Sequence, residues 1–167
     1  MRLAVAATPE VALPTLNWLL TSEHDLVRVI SQPDRPSGRG QELHASAVSE
    51  WAKANSIELT TPTAIAEIDA AISDVDLLIT IGYGRILPAT TLSIPTFGCI
   101  NLHFSLLPKY RGAAPVQRAI EAGEVESGVT VFALDPGMDT GPIYTSITTP
   151  IQARMRSFEL LEKLSHI

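Results

Sequence analysis

The sequence predicts an α/β fold with a doubly wound, mostly parallel sheet. Three observations carry that expectation. Short apolar runs of strand length recur along the chain and alternate with stretches of helical spacing, the order of βαβ units. The 167 residues allow one domain, and a hydrophobic fraction of 46 % against a charged fraction of 18 % suits a folded core. Two loops, residues 32–43, rich in Pro, Gly and Arg, and residues 104–113, each follow a strand, where open α/β sheets bind ligands.

The elements follow in order. Arg2–Ala7 is an apolar run that reads as a buried strand. Thr8-Pro9 reads as a helix start, with a capping hydroxyl and proline at the first helical position, ahead of the stripe Val11, Leu13, Leu16, Leu19 and Leu20. Residues 26–31 form a second strand. Residues 45–55 form a helix with Val48, Trp51 and Ala52 inward. Residues 76–81, preceded by Val75, are the best central strand, and Cys99–His103 is another. Residues 114–122 form a helix, with Pro115 near its start and Gly123 just past its end. Residues 129–134 and 143–148 are strands, and Ser157–Ser165 is a last helix.

Charge and motif content exclude several functions. A net charge of −6 argues against a surface that attracts nucleic acid everywhere. Yet residues 77–120 hold no carboxylate and four cations, Arg85, Lys109, Arg111 and Arg118, which suggests a local field for an anionic ligand. The apolar run after Met1 is too short for a secretory signal or a membrane span, so the expectation is a cytoplasmic protein with no membrane association. One cysteine, Cys99, permits no internal disulfide, and its apolar strand marks a structural thiol. No G-x-G-x-x-G follows the first strand, and neither a P-loop nor a G-x-S-x-G elbow occurs. The four histidines, His24, His44, His103 and His166, lack metal-ligand spacing, so no metal is expected.

What remains is Asn101-Leu102-His103. Residues i and i+2 of a strand share a face, so Asn101 and His103 project together from a strand end. The next strand runs into a turn at residues 135–141 that carries Asp135 and Asp139. An amide to donate to a developing oxyanion, an imidazole to act as acid, and a carboxylate to orient the imidazole suit acyl transfer. The same residues also fit plain structural roles: a satisfied strand-end histidine, a turn-capping asparagine and a turn aspartate.

Residues 99–118 carry Asn101, His103, Ser105-Leu106-Leu107-Pro108, Tyr110 and Gly112, and residues 135–141 read Asp-Pro-Gly-Met-Asp-Thr-Gly. Both segments resemble the signature of the formyltetrahydrofolate-dependent formyltransferases. By that resemblance the fold is Rossmann-like, the catalytic trio is Asn101, His103 and Asp139, and the co-substrate is 10-formyltetrahydrofolate. Tyr83, Gly84, Ile86, Leu87, Ser105, Leu106, Leu107, Pro108 and Asp135 are the folate-binding residues it implies. The continuation from Gly112 to Arg118 and the segment from Gln32 to Gly40 resemble the branch that formylates initiator methionyl-tRNA. There Arg35 and Arg39 are the implied tRNA contacts. The chain departs from the pattern at Ala7, at Gln41-Glu42, and at Ala45 and Ala47. The expectation is thus a monomeric catalytic domain, residues 1–167. It lacks the family's carboxy-terminal tRNA-binding domain, and so should bind folate but use tRNA poorly. The alternatives are transfer to a small amine such as a nucleotide sugar, and a noncatalytic folate-binding fragment.

Overall fold

The computed structural model describes residues 1–37 and 42–167; Arg39, one of the two expected tRNA contacts, lies outside them. The chain divides into two compact units, Met1–Cys99 and Ile100–Ile167. The expected α/β class holds, and the mostly parallel character resides in the first unit.

In that unit β1 (Arg2–Ala7), β2 (Asp25–Ile30), β5 (Glu58–Thr60) and β6 (Leu77–Ile81) pair in parallel in the order β5-β2-β1-β6. β1 lies inside this order, and Leu3 to Ala7 are at most 1 % exposed. Around these strands run α1 (Leu13–Leu20), α2 (Ala47–Ala54), α3 (Ile65–Ala71) and α4 (Ala89–Leu92). The short β3 (Arg35–Ser37) pairs antiparallel with β4 (Glu42–His44). Sequence periodicity showed nothing of β3, β4, β5, α3 or α4, which are three to seven residues long.

Two details differ from expectation. Thr8-Pro9 does not begin a helix: Pro9 is extended, a 3₁₀ turn spans Glu10–Ala12, and α1 starts at Leu13. The cause is Pro14, which lacks an N–H and fits only the first turn of a helix. α2 begins at Ala47 because Ser46 is its cap, its Oγ accepting from Ser49 N–H at 3.0 Å. Val48 and Ala52 are buried as expected. Trp51 is half-buried, and its indole N–H donates to Asn17 Oδ1 at 2.8 Å.

Arg28 of β2 ties this unit together. It donates to Glu58 Oε2 at 2.9 Å, to Asp74 Oδ1 at 3.0 Å and to the Ala71 carbonyl. Hydrogen bonds from Arg28 hold the Glu58 and Asp74 carboxyls below the usual carboxylate range. Groups lowered in this way stabilise the fold above their unfolded pKa, about 4, and lose that contribution as pH falls through the folded values. Urea unfolding from pH 7 to pH 3 is therefore expected to show stability falling more steeply below pH 4 in the parent than in Arg28→Met. Parallel curves would show that these contacts contribute nothing.

The second unit is antiparallel. β7 (Cys99–His103) pairs with β8 (Glu126–Ala133), and β8 with β9 (Ile143–Pro150). The alternation of strand and helix predicts a mostly parallel sheet, and these three strands are its antiparallel part. Residues 134–142 join β8 to β9 as a hairpin, so these two strands run in opposite senses. α5 (Pro115–Glu121) lies between β7 and β8, and α6 (Ser157–Ser165) follows β9. Glu159 begins α6 by accepting from Arg156 N–H at 2.7 Å, and Leu160 and Leu164 are its buried face. α5 ends in a Schellman motif. Gly123 takes φ +70°, its N–H reaching the Ile120 carbonyl at 3.0 Å, and Glu124 N–H reaches the Ala119 carbonyl at 3.1 Å.

Candidate active site

His103 ends β7, 7 % exposed, opposite Thr130 of β8, while Asn101 stands opposite Phe132. The two share a strand face, as the i, i+2 spacing requires. His103 Nε2 lies 2.9 Å from the Tyr110 carbonyl oxygen. A carbonyl only accepts, so Nε2 carries a proton and donates. Nδ1 lies 3.6 Å from Asp139 Oδ2, beyond hydrogen-bond reach but close enough for charge to act. Both ring nitrogens thus face acceptor oxygens, Nε2 within hydrogen-bond distance and Nδ1 beyond it. The Phe132 ring stands edge-on to the imidazole, 6.4 Å between centroids at 88°.

The loops that deliver these partners are held in unusual backbone states. Tyr110 (φ +59°) and Asp139 (φ +53°) are left-handed, which costs an L-residue about 1–2 kcal/mol each. Such outliers persist only where the surroundings over-determine them, and both present a group to His103. Gly112 at φ +80° donates its N–H to Asp139 Oδ2 at 2.7 Å, fixing the carboxylate from below. Asp135 accepts from Gly137 N–H at 3.0 Å and from Thr140 Oγ1 at 2.8 Å, stapling the turn before Asp139. A Cβ on Gly137 would collide with Thr140 Oγ1, and one on Gly141 with the Ala133 carbonyl, so the turn needs both glycines.

The segment after His103 is pinned from beneath. Ser105, fully buried, donates to the Lys109 carbonyl at 2.7 Å. Thr130 Oγ1 donates to the Ser105 carbonyl at 2.7 Å and accepts from Leu107 N–H at 3.2 Å. Leu106, Leu107, Pro108 and Tyr110 line a cavity of about 250 Å³ with Glu124 and Glu126; Asn101, His103 and Asp139 are not among its lining residues. Tyr110 Oη donates to Glu124 Oε1 at 2.8 Å, Lys109 Nζ donates to the same oxygen at 2.9 Å, and the Arg118 guanidinium lies 5.5 Å from the Tyr110 ring centroid.

In the first unit Tyr83 and Leu87 are buried, whereas Ile86 is 80 % exposed and a Cβ on Gly84 would meet no atom within 4 Å. Burial pushes the Tyr83 phenol's pKa up, against a smaller lowering by the neighbouring Arg85. Arg35 is exposed on β3, its Nη2 3.4 Å from Gln32 Oε1.

The cation-rich stretch is largely spoken for. Arg85 donates to the Pro62 and Thr63 carbonyls, Lys109 pairs with Glu124, and Arg118 donates to the Arg111 carbonyl. Burial pushes the Cys99 thiol up to about 12, which leaves it inert. Among the described residues no group of three or more His, Cys, Asp or Glu could hold a metal ion, and no helix is long and apolar enough to cross a membrane.

A sequence profile described as formyl transferase matches residues 1–166. The chain belongs to the formyl transferase family. This family member is 47 % identical to the methionyl-tRNA formyltransferase of Pseudomonas fluorescens (strain SBW25), over 100 % of the chain and 54 % of that protein. The chain spans about half the length of the curated relatives it matches. Among solved structures, phosphoribosylglycinamide formyltransferase from Bacillus halodurans superposes with a TM-score of 0.81. It is 22 % identical and matches over 99 % of this chain and 90 % of that one, which shows a shared fold. An N-formyltransferase from Helicobacter canadensis, solved with folinic acid and dTDP-3-aminofucose, is 26 % identical. Its TM-score is 0.74 over 98 % of this chain and 59 % of that one.

Set against the sequence reading, the formyl transferase geometry brings His103 and Asp139 together and puts Asn101 on the same strand face. The side chains of Ser105 and Asp135, two of the residues expected to bind folate, hydrogen-bond within their own loops. Glu124 escaped sequence reasoning. It follows a helix-ending glycine in a chain of 18 acidic residues, and only folding sets it beside Tyr110. Thr130 escaped too, because a threonine inside a strand looks like any other β-former.

Proposed function

We propose that this chain transfers the formyl group of 10-formyltetrahydrofolate to the methionine amino group of initiator methionyl-tRNA. The observation that carries the reading is the His103–Asp139 pair. One imidazole nitrogen is tied to a backbone carbonyl, and the other stands beside a carboxylate that is itself anchored by Gly112. That is the arrangement needed to hold a charged imidazole where negative charge develops. The relative from Pseudomonas fluorescens, 47 % identical over the whole chain, supports the choice of acceptor.

In this reading the methionine amine attacks the formyl carbon, and the new C–N bond forms as electrons move onto the formyl oxygen. Asn101 and the Nδ1–H of His103 donate to that oxygen. Asp139, beside His103, accepts through water the proton lost by the amine. The oxygen's electrons return as the bond to the folate nitrogen breaks, the proton taken from the amine passes to that nitrogen, and tetrahydrofolate leaves. Exposed Ile86 and the open space at Gly84 fit the wall of a pocket for a flat, largely apolar ring. The residues proposed to bind folate are Tyr83, Gly84, Ile86 and Leu87 in the first unit and, taken by themselves, Leu106, Leu107 and Pro108 in the second, where Ser105 and Asp135 hold loops. Arg35, exposed on β3, and Arg39 are the proposed tRNA contacts. A monomer working in the cytoplasm, where initiator tRNA is charged, completes the proposal.

The acceptor is decided by supplying the protein with 10-formyltetrahydrofolate and either methionyl initiator tRNA, glycinamide ribonucleotide or a nucleotide-linked amino sugar. Formylmethionyl-tRNA is the expected product. Formylation of the amino sugar alone would move the assignment to a small-amine enzyme, and folate binding without any product would make the chain a binding protein.

A further inference from the structure

We propose that Glu124 is a positioning residue for His103, acting through Tyr110. The proposal rests on the reading of His103 as a reacting group. Among the described residues, the hydrogen-bond acceptor shown at His103 Nε2 is the backbone carbonyl of Tyr110, at 2.9 Å. That carbonyl points at the imidazole because Tyr110 is held left-handed, at φ +59°, a state a tyrosine does not adopt unaided. What holds it is its side chain. The phenol donates to Glu124 Oε1 at 2.8 Å, and the Arg118 guanidinium lies 5.5 Å from the ring centroid.

Glu124 can serve as an anchor because its own backbone is fixed. It is the residue after Gly123 in the Schellman motif closing α5, and its N–H is bonded to the Ala119 carbonyl. The carboxylate is also paired with Lys109, and hydrogen bonds from Lys109 and then Tyr110 hold it below the usual carboxylate range, so it remains an acceptor at neutral pH. A chain of contacts thus runs from the end of α5 through the phenol and the Tyr110 backbone to the imidazole. Glu124 lies 21 positions after His103 in the sequence; the fold puts one tyrosine between them.

The test uses the unliganded protein and its Glu124→Ala, Glu124→Gln, Tyr110→Phe and Lys109→Ala variants. The first readout is the ring ¹H–¹⁵N spectrum of His103. Its Nε2–H resonance is expected to shift in Glu124→Ala and Tyr110→Phe. It should stay in place in Glu124→Gln, whose amide oxygen still accepts from the phenol, and in Lys109→Ala. Alanine at 124 keeps the backbone N–H of the helix cap, so the fold is retained. The second readout is formyl transfer. kcat is expected to fall about 10- to 100-fold in Glu124→Ala and in Tyr110→Phe, the size of effect that small misplacements of reacting groups produce. KM is expected to hold, and the double variant should be no worse than either single one. His103 resonances and kcat unchanged in Glu124→Ala would overturn the proposal, as would Glu124→Gln as impaired as Glu124→Ala. If the parent transfers no formyl group to any acceptor, the reading of the reaction fails, and the His103 resonances still decide whether Glu124 positions the ring.

Discussion

His103→Ala is expected to lower the rate of formyl transfer by about 10²–10³-fold, the loss that removal of one oxyanion donor brings in other acyl-transfer enzymes. The argument is local. The ring is 7 % exposed, its Nε2–H is fixed by a backbone carbonyl, and Nδ1 is the nitrogen left to meet a substrate oxygen beside Asp139. Removing the ring removes the donor but touches none of the hydrogen bonds that hold residues 105–109, because Ser105, Thr130 and Leu107 bond to one another. Affinity for a stable folate analogue should therefore stay within about threefold while kcat falls, the pattern of an interaction made only in the transition state. Asn101→Ala is expected to show the same split. Steady-state kinetics with titration calorimetry on the same preparations decides it, and near-parent turnover in His103→Ala would refute the assignment.

Phe132→Ala is expected to have the largest effect on stability. Phe132 is fully buried and is among the largest enclosed side chains of the protein. Truncating such a residue costs about 3–5 kcal/mol, from lost transfer energy and the cavity left behind. In a chain of this size that lowers Tm on the order of 10 °C. The same ring stands edge-on to His103 and sits opposite Asn101 in the β7–β8 ladder, so its loss should also loosen the site. Phe132→Leu, which refills most of the volume, should recover more than half of the loss. Urea midpoints at unchanged slope measure both. A Phe132→Ala variant within 1 kcal/mol of the parent would show that this core relaxes far more than close packing allows.

Several elements were legible because they carry their own signals. β1 and β7 match their expected bounds, the first as an unbroken apolar run, the second as a short apolar strand ending in Asn-Leu-His. α5 was marked at both ends by Pro115 and Gly123. Misplacement of the first helix has a definite cause: of its two prolines, Pro14 lacks the N–H that an interior position needs, so the helix opens at Leu13. The short elements β3, β4, β5 and α4 span less than two turns of any periodicity and are stabilised by partners distant in sequence, such as Arg28 donating to Glu58.

The sequence by itself determined the alternation of strand and helix, the shared face of Asn101 and His103, and the glycines around Asp139. Each of these depends on neighbours a few residues away, through strand pleat, helix caps and backbone sterics. The tertiary structure alone decided the antiparallel sense of β8, and it alone brought Asp139 to 3.6 Å from an imidazole 36 residues earlier. It also spent Ser105 and Asp135 on holding loops and joined Glu124 to Tyr110. The physical reason is range. A hydrogen-bonding side chain carries no mark of which distant partner it will meet, because the partner is set by the packing of whole strands and by the need to satisfy every buried polar group at once.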